Sequence, residues 1–119
     1  LLRKDNWFTI ENLYFETGKS TLKPESKNAL DNLYKILNAY PTLKVKLGGY
    51  TDNTGDKNAN MQLSKERAEA AKADLVTRGI AADRIEAEGY GPEFPVCEAN
   101  DTAECKAKNR RIDVRVLGL

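Results

Sequence analysis

Residues 43–78 read LKVKLGGYTDNTGDKNANMQLSKERAEAAKADLVTR, and their periodicity decides the fold. The stretch starts with a period of two. Val45, Leu47 and Gly49 fall on one side, Lys44 and Lys46 on the other, as in a strand with one buried face. Tyr50-Thr51-Asp52-Asn53-Thr54-Gly55 then collects residues that turn a chain. After a polar linker the period lengthens. Leu63, Ala68, Ala71 and Leu75 fall on the inner side of a helix that stops at Gly79, with Arg78 in its last turn. In a strand–turn–helix unit the helix packs back over the sheet. Asp52, just past the strand, and Arg67, two turns into the helix, then face one small cleft. One offers an anion, the other a planar cationic fork. Such a cleft suits a zwitterion whose ammonium and carboxylate lie a few ångströms apart.

Upstream, Trp7–Ile10 and Leu13–Phe15 read as extended. Phe8 and Ile10 share one parity and Leu13 and Phe15 the other, so a bulge or break is expected near Glu11-Asn12. A turn at residues 17–20 leads to a helix opening at Leu22-Lys23-Pro24-Glu25, where proline loses no hydrogen bond and the carboxylate meets the positive helix end. Leu30, Leu33, Leu37 and Tyr40 give its core stripe, and Pro41 ends it. Downstream, Arg84–Glu88 alternates as a strand with Ile85 and Ala87 inward, closed by Gly89-Tyr90-Gly91-Pro92. A loop over Glu93–Asn100 follows. Asp101-Thr102-Ala103-Glu104 has the form of a capping box for a short helix to about Lys108. In the last strand Ile112, Val114 and Val116 alternate with Asp113 and Arg115. The order β-α-β-α-β-(α)-β predicts an α+β fold, a mixed sheet with two main helices packed on one face.

A chain of 119 residues makes one domain with one modest core. Nineteen basic residues nearly balance 18 acidic ones, which gives no electrostatic case for nucleic acid or an anionic membrane surface. No apolar run approaches the ~20 residues a membrane helix needs, so no membrane insertion by this segment is expected. The chain has no histidine, no plausible nucleophile–base pair, no metal-ligand cluster and no phosphate loop. It therefore reads as a non-enzyme without cofactor or metal. Asp52 with Glu86 or Glu88 is a conceivable carboxylate pair for glycoside hydrolysis, but nothing else marks a sugar-cleaving cleft. Cys97 and Cys105 sit eight positions apart, too few ligands for zinc. They are free thiols or a disulfide stapling the loop. We take the disulfide, which implies an oxidising compartment and contributes about 2–3 kcal/mol. The sequence opens at Leu1 without an initiator Met, and we expect a piece of a longer protein.

Four pieces follow in a set order: GYTDNTG (Gly49–Gly55), LSKERAEA (Leu63–Ala70), GYG (Gly89–Gly91) and NRRIDVRV (Asn109–Val116). Together they resemble the OmpA-like domain, the peptidoglycan-binding module of OmpA, of Pal-type lipoproteins and of MotB-type stators. The resemblance runs from about Phe8 to Val116 and implies the same architecture. It implies a single periplasmic domain over residues 1–119, tethered to the outer membrane of a Gram-negative envelope by a part outside this sequence. Any homo-oligomer would form through that part. It further implies non-covalent binding of peptidoglycan through the meso-diaminopimelate residue of the stem peptide, anchoring an outer-membrane protein or lipoprotein to the cell wall. The alternative is a protein–protein interaction module of an envelope complex, with a vestigial wall-binding site.

Spacing alone makes Asp52 a turn aspartate bonded to its own backbone. The resemblance matches it to the TD aspartate that binds diaminopimelate. Arg67, taken alone, is a solvated helix arginine beside Glu66 and Glu69. Leu63-Ser64-Lys65-Glu66-Arg67-Ala68 matches the pattern LS-x-x-R-A, whose arginine grips a ligand carboxylate. Asn60, seven residues earlier on the same helix stripe, is a candidate polar partner. Backbone groups of Asn53 and Thr54 would complete the grip. Asn109 and Arg110 are assigned to the cleft rim or to positioning Asp52. Which of Arg110 and Arg111 faces inward stays open, because neighbouring strand residues face opposite ways. Tyr50 replaces the commoner His of the motif. Its ring would line the cleft, and it offers no pH switch near neutrality. Gly48-Gly49 reads as a place of close backbone approach.

Overall fold

The computed structural model describes residues 7–10, 15, 21–52, 55–93, 102–103 and 109–118. Its strands are β1 (Trp7–Thr9), β2 (Lys44–Tyr50), β3 (Ile85–Gly91) and β4 (Ile112–Gly118), and its helices are α1 (Lys27–Ala39) and α2 (Lys57–Thr77). The sheet order is β1-β4-β2-β3. β2 and β3 run parallel, joined by the α2 crossover, while β4 is antiparallel to β2 and to β1. Among the described residues the fold is α+β, with a mixed sheet and the two helices α1 and α2. No helix among the described residues is long and apolar enough to cross a membrane.

Alternation builds the core. Val45 and Leu47 of β2, Ile85 of β3, and Ile112, Val114 and Val116 of β4 point to one face and are buried there. Ala29, Leu30, Leu33 and Leu37 of α1, with Ala68, Ala71 and Leu75 of α2, complete one apolar cluster with them. α2 lies directly over β3 and β2. Small residues make this approach close. A methyl on Gly49 would sit 2.1 Å from the Ser64 carbonyl oxygen, and one on Gly89 would sit 2.4 Å from the Lys65 nitrogen. The expectation of close backbone packing at Gly48-Gly49 is met at Gly49.

Several expectations need correction. Tyr40 does not close the α1 stripe. It caps the helix C-terminus and is 52% exposed, because Pro41 turns the chain there, while Ala29 joins the stripe at the other end of the helix. The helix is entered through a 3-10 turn, Pro24–Ser26. Leu63 is only half-buried, and fully buried Ser64 takes the inner position beside it. Arg84 belongs to a 3-10 turn, Ala82–Arg84, and β3 runs on through Gly89-Tyr90-Gly91. Asp113 is buried despite its outward parity. Thr9 Oγ1 donates to it at 2.7 Å from the neighbouring β1, and Arg111 Nε donates at 3.1 Å. The phase break at Glu11-Asn12 and the loop cysteines Cys97 and Cys105 lie outside the described residues, as does most of the expected short helix.

Arg84 replaces the missing partners at the end of α1. Its Nη2 donates to the carbonyls of Leu37 (2.7 Å) and Tyr40 (2.8 Å), and its Nε donates to that of Leu43 (3.1 Å). The last carbonyls of a helix lack intrahelical donors and carry partial negative charge, so a guanidinium there is doubly favoured. Arg84→Ala is expected to destabilise the domain by about 1–3 kcal/mol, read as a lower midpoint in urea with an unchanged slope.

Candidate functional site

Three chain segments converge where β2 and β3 end and β4 begins. Past Tyr50, Thr51 keeps the ladder going for one more residue, its N–H donating to Gly91 O at 2.8 Å. The Thr51 hydroxyl donates to Asp52 O at 2.8 Å and fixes the exit of the strand. Tyr50 N donates to Arg111 O at 2.9 Å, which ties the segment before β4 to the same end. Asp52 is thereby held just past the end of β2 and is buried to 8% exposure.

α2 supplies the second wall. Asp56 caps it, its carboxylate accepting from Ala59 N at 2.9 Å. Ser64 anchors it to the sheet: its Oγ accepts from Gly91 N at 2.9 Å and donates to Met61 O at 2.8 Å. One turn further on comes Arg67, 7% exposed, with its guanidinium carbon 5.0 Å from the centre of the Phe15 ring. Burial first, and then the like charge of Arg110, lower the Arg67 pKa, while Asp52 opposes them. The three charges therefore share one electrostatic neighbourhood. Arg110 Nη1 donates to Asp52 Oδ2, with Arg110 the more exposed partner.

The structure thus brings Asp52, Arg67 and Arg110 together. It also separates the two arginines of the NRR motif. Arg110 meets Asp52, whereas Arg111 stacks on the Tyr50 ring at 3.9 Å and bonds Asp113. Asn109, one residue ahead of Arg110, is fully buried. Asn60 lies in the first turn of α2 and is half-buried. Asn53 and Thr54 lie outside the described residues.

Tyr50 does not line the cleft. Gly49 faces α2, so the next side chain points to the helix-free face of the sheet. There its ring stacks on Tyr90 at 5.2 Å. Glu88 is on that face too, accepting from Tyr90 OH at 2.7 Å and pairing with Lys46 at 2.9 Å, which removes it as a carboxylate partner for Asp52. Burial, with the charge of Asp113, pushes the Tyr50 phenol up to about 12. An unfolded tyrosine loses its proton near pH ~10. The folded chain holds Tyr50 neutral beyond that, so stability present below pH ~10 is lost as pH rises toward ~12. Tyr50→Phe is expected to flatten part of this alkaline fall, measured as urea midpoint against pH.

With two cations and one anion, the cleft has guanidinium donors suited to a carboxylate and, in Asp52, an acceptor suited to an ammonium. The OmpA family model matches residues 14–110. The chain belongs to the OmpA family. Over 103 residues it is 42% identical to the protein named "Probable lipoprotein YiaD" of Escherichia coli (strain K12), across 87% of this chain and 47% of that one. The chain spans about half the length, or less, of the curated relatives it matches. Among solved structures, the peptidoglycan-associated lipoprotein from Burkholderia pseudomallei is similar at a TM-score of 0.80 and 27% identity, covering 87% of both chains. The cell wall anchor of the type VI secretion system from Pseudomonas aeruginosa gives 0.79 and 26%, covering 95% of this chain and 80% of that one. In this OmpA-family domain the sequence places Asp52 and Arg67 at one cleft, where the structure brings them together, but it gives no place there to Phe15 or Ser64. Ser64 was legible in part, as the small polar residue between Leu63 and Arg67 on the inner side of α2.

Proposed function

We propose that this domain binds peptidoglycan non-covalently, through the diaminopimelate residue of the stem peptide, and so anchors an envelope protein to the cell wall. The convergence of Asp52, Arg67 and Arg110 on one cleft carries the reading. Arg67 holds a ligand carboxylate by a bidentate fork. Asp52 accepts from the ligand's ammonium or amide hydrogens, with Arg110 holding its other side. Asn60 and the backbone of Asn53 and Thr54 contribute at the rim. Family membership supports this, as do the wall-associated names of two similar structures. Residues 1–119 form one periplasmic domain with its core at about 8–116, tethered to the outer membrane through the rest of the protein, and Cys97 pairs with Cys105. Each charge-assisted bond contributes about 1.5–3 kcal/mol. Ligand ordering offsets much of that, so one domain binds modestly and many copies on a polymeric wall bind firmly.

The test is an NMR titration of the labelled domain with a diaminopimelate stem peptide, against a lysine-containing control that lacks the second carboxylate. Saturable shifts at Asp52 and Arg67 with the first peptide alone are expected. No shifts with either peptide would transfer the function to a protein partner.

A further inference from the structure

We propose that Phe15 is a positioning residue for ligand recognition, acting through Arg67 by packing its aromatic ring against the guanidinium. The inference deepens the proposed function and rests on it for the ligand. Arg67 has been taken largely out of water, at 7% exposure, and has a second guanidinium, that of Arg110, for a neighbour. Against it lies the Phe15 ring, a negative π face 5.0 Å from the Arg67 guanidinium carbon.

Geometry makes this contact directional. A guanidinium carries its five N–H donors in its own plane. A ring packed against the guanidinium limits its rotation, and a fixed plane is what two parallel bonds to a carboxylate need. A side chain free to rotate would lose that alignment for much of the time. Phe15 is itself fixed from both sides. It packs against the apolar core, and its backbone forms an antiparallel bridge with Leu22, just ahead of α1. The ring therefore links the core to the ligand-facing arginine.

The experiment compares Phe15→Leu, Phe15→Tyr and Phe15→Trp with wild type by two readouts. The first is the Arg67 Nε–Hε NMR resonance in the ligand-free protein, which the ring current displaces. The second is affinity for the diaminopimelate stem peptide. In Phe15→Leu the Arg67 resonance is expected to lose its ring-current shift, and affinity to fall about three- to tenfold. Tyrosine and tryptophan should restore both, although tryptophan differs most in size. A purely structural role would lower thermal stability in all three variants without following the Arg67 resonance. Wild-type Arg67 resonance and affinity in Phe15→Leu would overturn the proposal. So would a loss of affinity that the aromatic variants fail to restore. If the wild type binds no stem peptide, the proposed function fails, and the Arg67 resonance still decides whether Phe15 positions that side chain.

Discussion

Arg67→Ala is expected to weaken binding of a diaminopimelate stem peptide by about 100-fold or more. Two charge-assisted bonds to one carboxylate, at the lower end of about 1.5 kcal/mol each, already amount to that factor. The fold should survive the change. Arg67 lies outside the apolar core cluster, and burial and the charge of Arg110 oppose its ionised form while Asp52 favours it. The melting transition of the variant should stay cooperative, and Asp52 should keep its bond from Arg110. Arg67→Lys keeps the charge but loses the fork and should fall between the two. Asn60→Ala, at the half-buried start of α2, should cost far less than either. Sedimentation with purified sacculi checks the same order on the polymer. An Arg67→Ala protein that sediments like wild type would sink the assignment of the site.

Much of this site is written in strand parity. Val45, Leu47 and Gly49 point inward, so Tyr50 must point outward, and the structure stacks it on Tyr90 and Arg111. The same count run backward from inward-facing Ile112 puts Arg111 outward and Arg110 on the side of the helices, where it meets Asp52. The alternation left as an open choice between two arginines was therefore decidable, once the inward residues of β4 were used to set its phase. The expectation that Tyr50 lines the cleft followed its place in the motif and overlooked that phase. Other features had no local signal. Asp113 is buried because β1 crosses beside it and brings Thr9, a contact between residues 104 positions apart. The Phe15–Arg67 contact likewise joins a segment ahead of α1 to the middle of α2. Periodicity places a residue on a face. It does not say which distant chain will cover that face.

Gly49→Ala is expected to destabilise the domain by about 3 kcal/mol, at the upper end of what overpacking costs, and to take ligand binding with it. The added methyl would lie 2.1 Å from the Ser64 carbonyl oxygen and 2.9 Å from the carbonyl carbon. Both are backbone atoms in the middle of a helix, so no side-chain rotation relieves the clash. Relief requires α2 to lift from β2. Gly89 faces the same turn from β3, where an added methyl would lie 2.4 Å from Lys65 N, so tilting toward β3 is closed as well. Lifting the helix also strains the Ser64 bond to Gly91 N, which anchors it at the site. Arg67 is one turn beyond Ser64 and moves with it, away from Asp52. Stability and affinity should therefore fall together, unlike in Arg67→Ala, where affinity falls alone. Gly118→Ala is the control, because a methyl there meets nothing within 4 Å. Urea denaturation and the stem-peptide titration on the three variants separate the two kinds of loss. A Gly49→Ala domain with wild-type midpoint and affinity would mean that α2 does not ride on the sheet as closely as its glycines require.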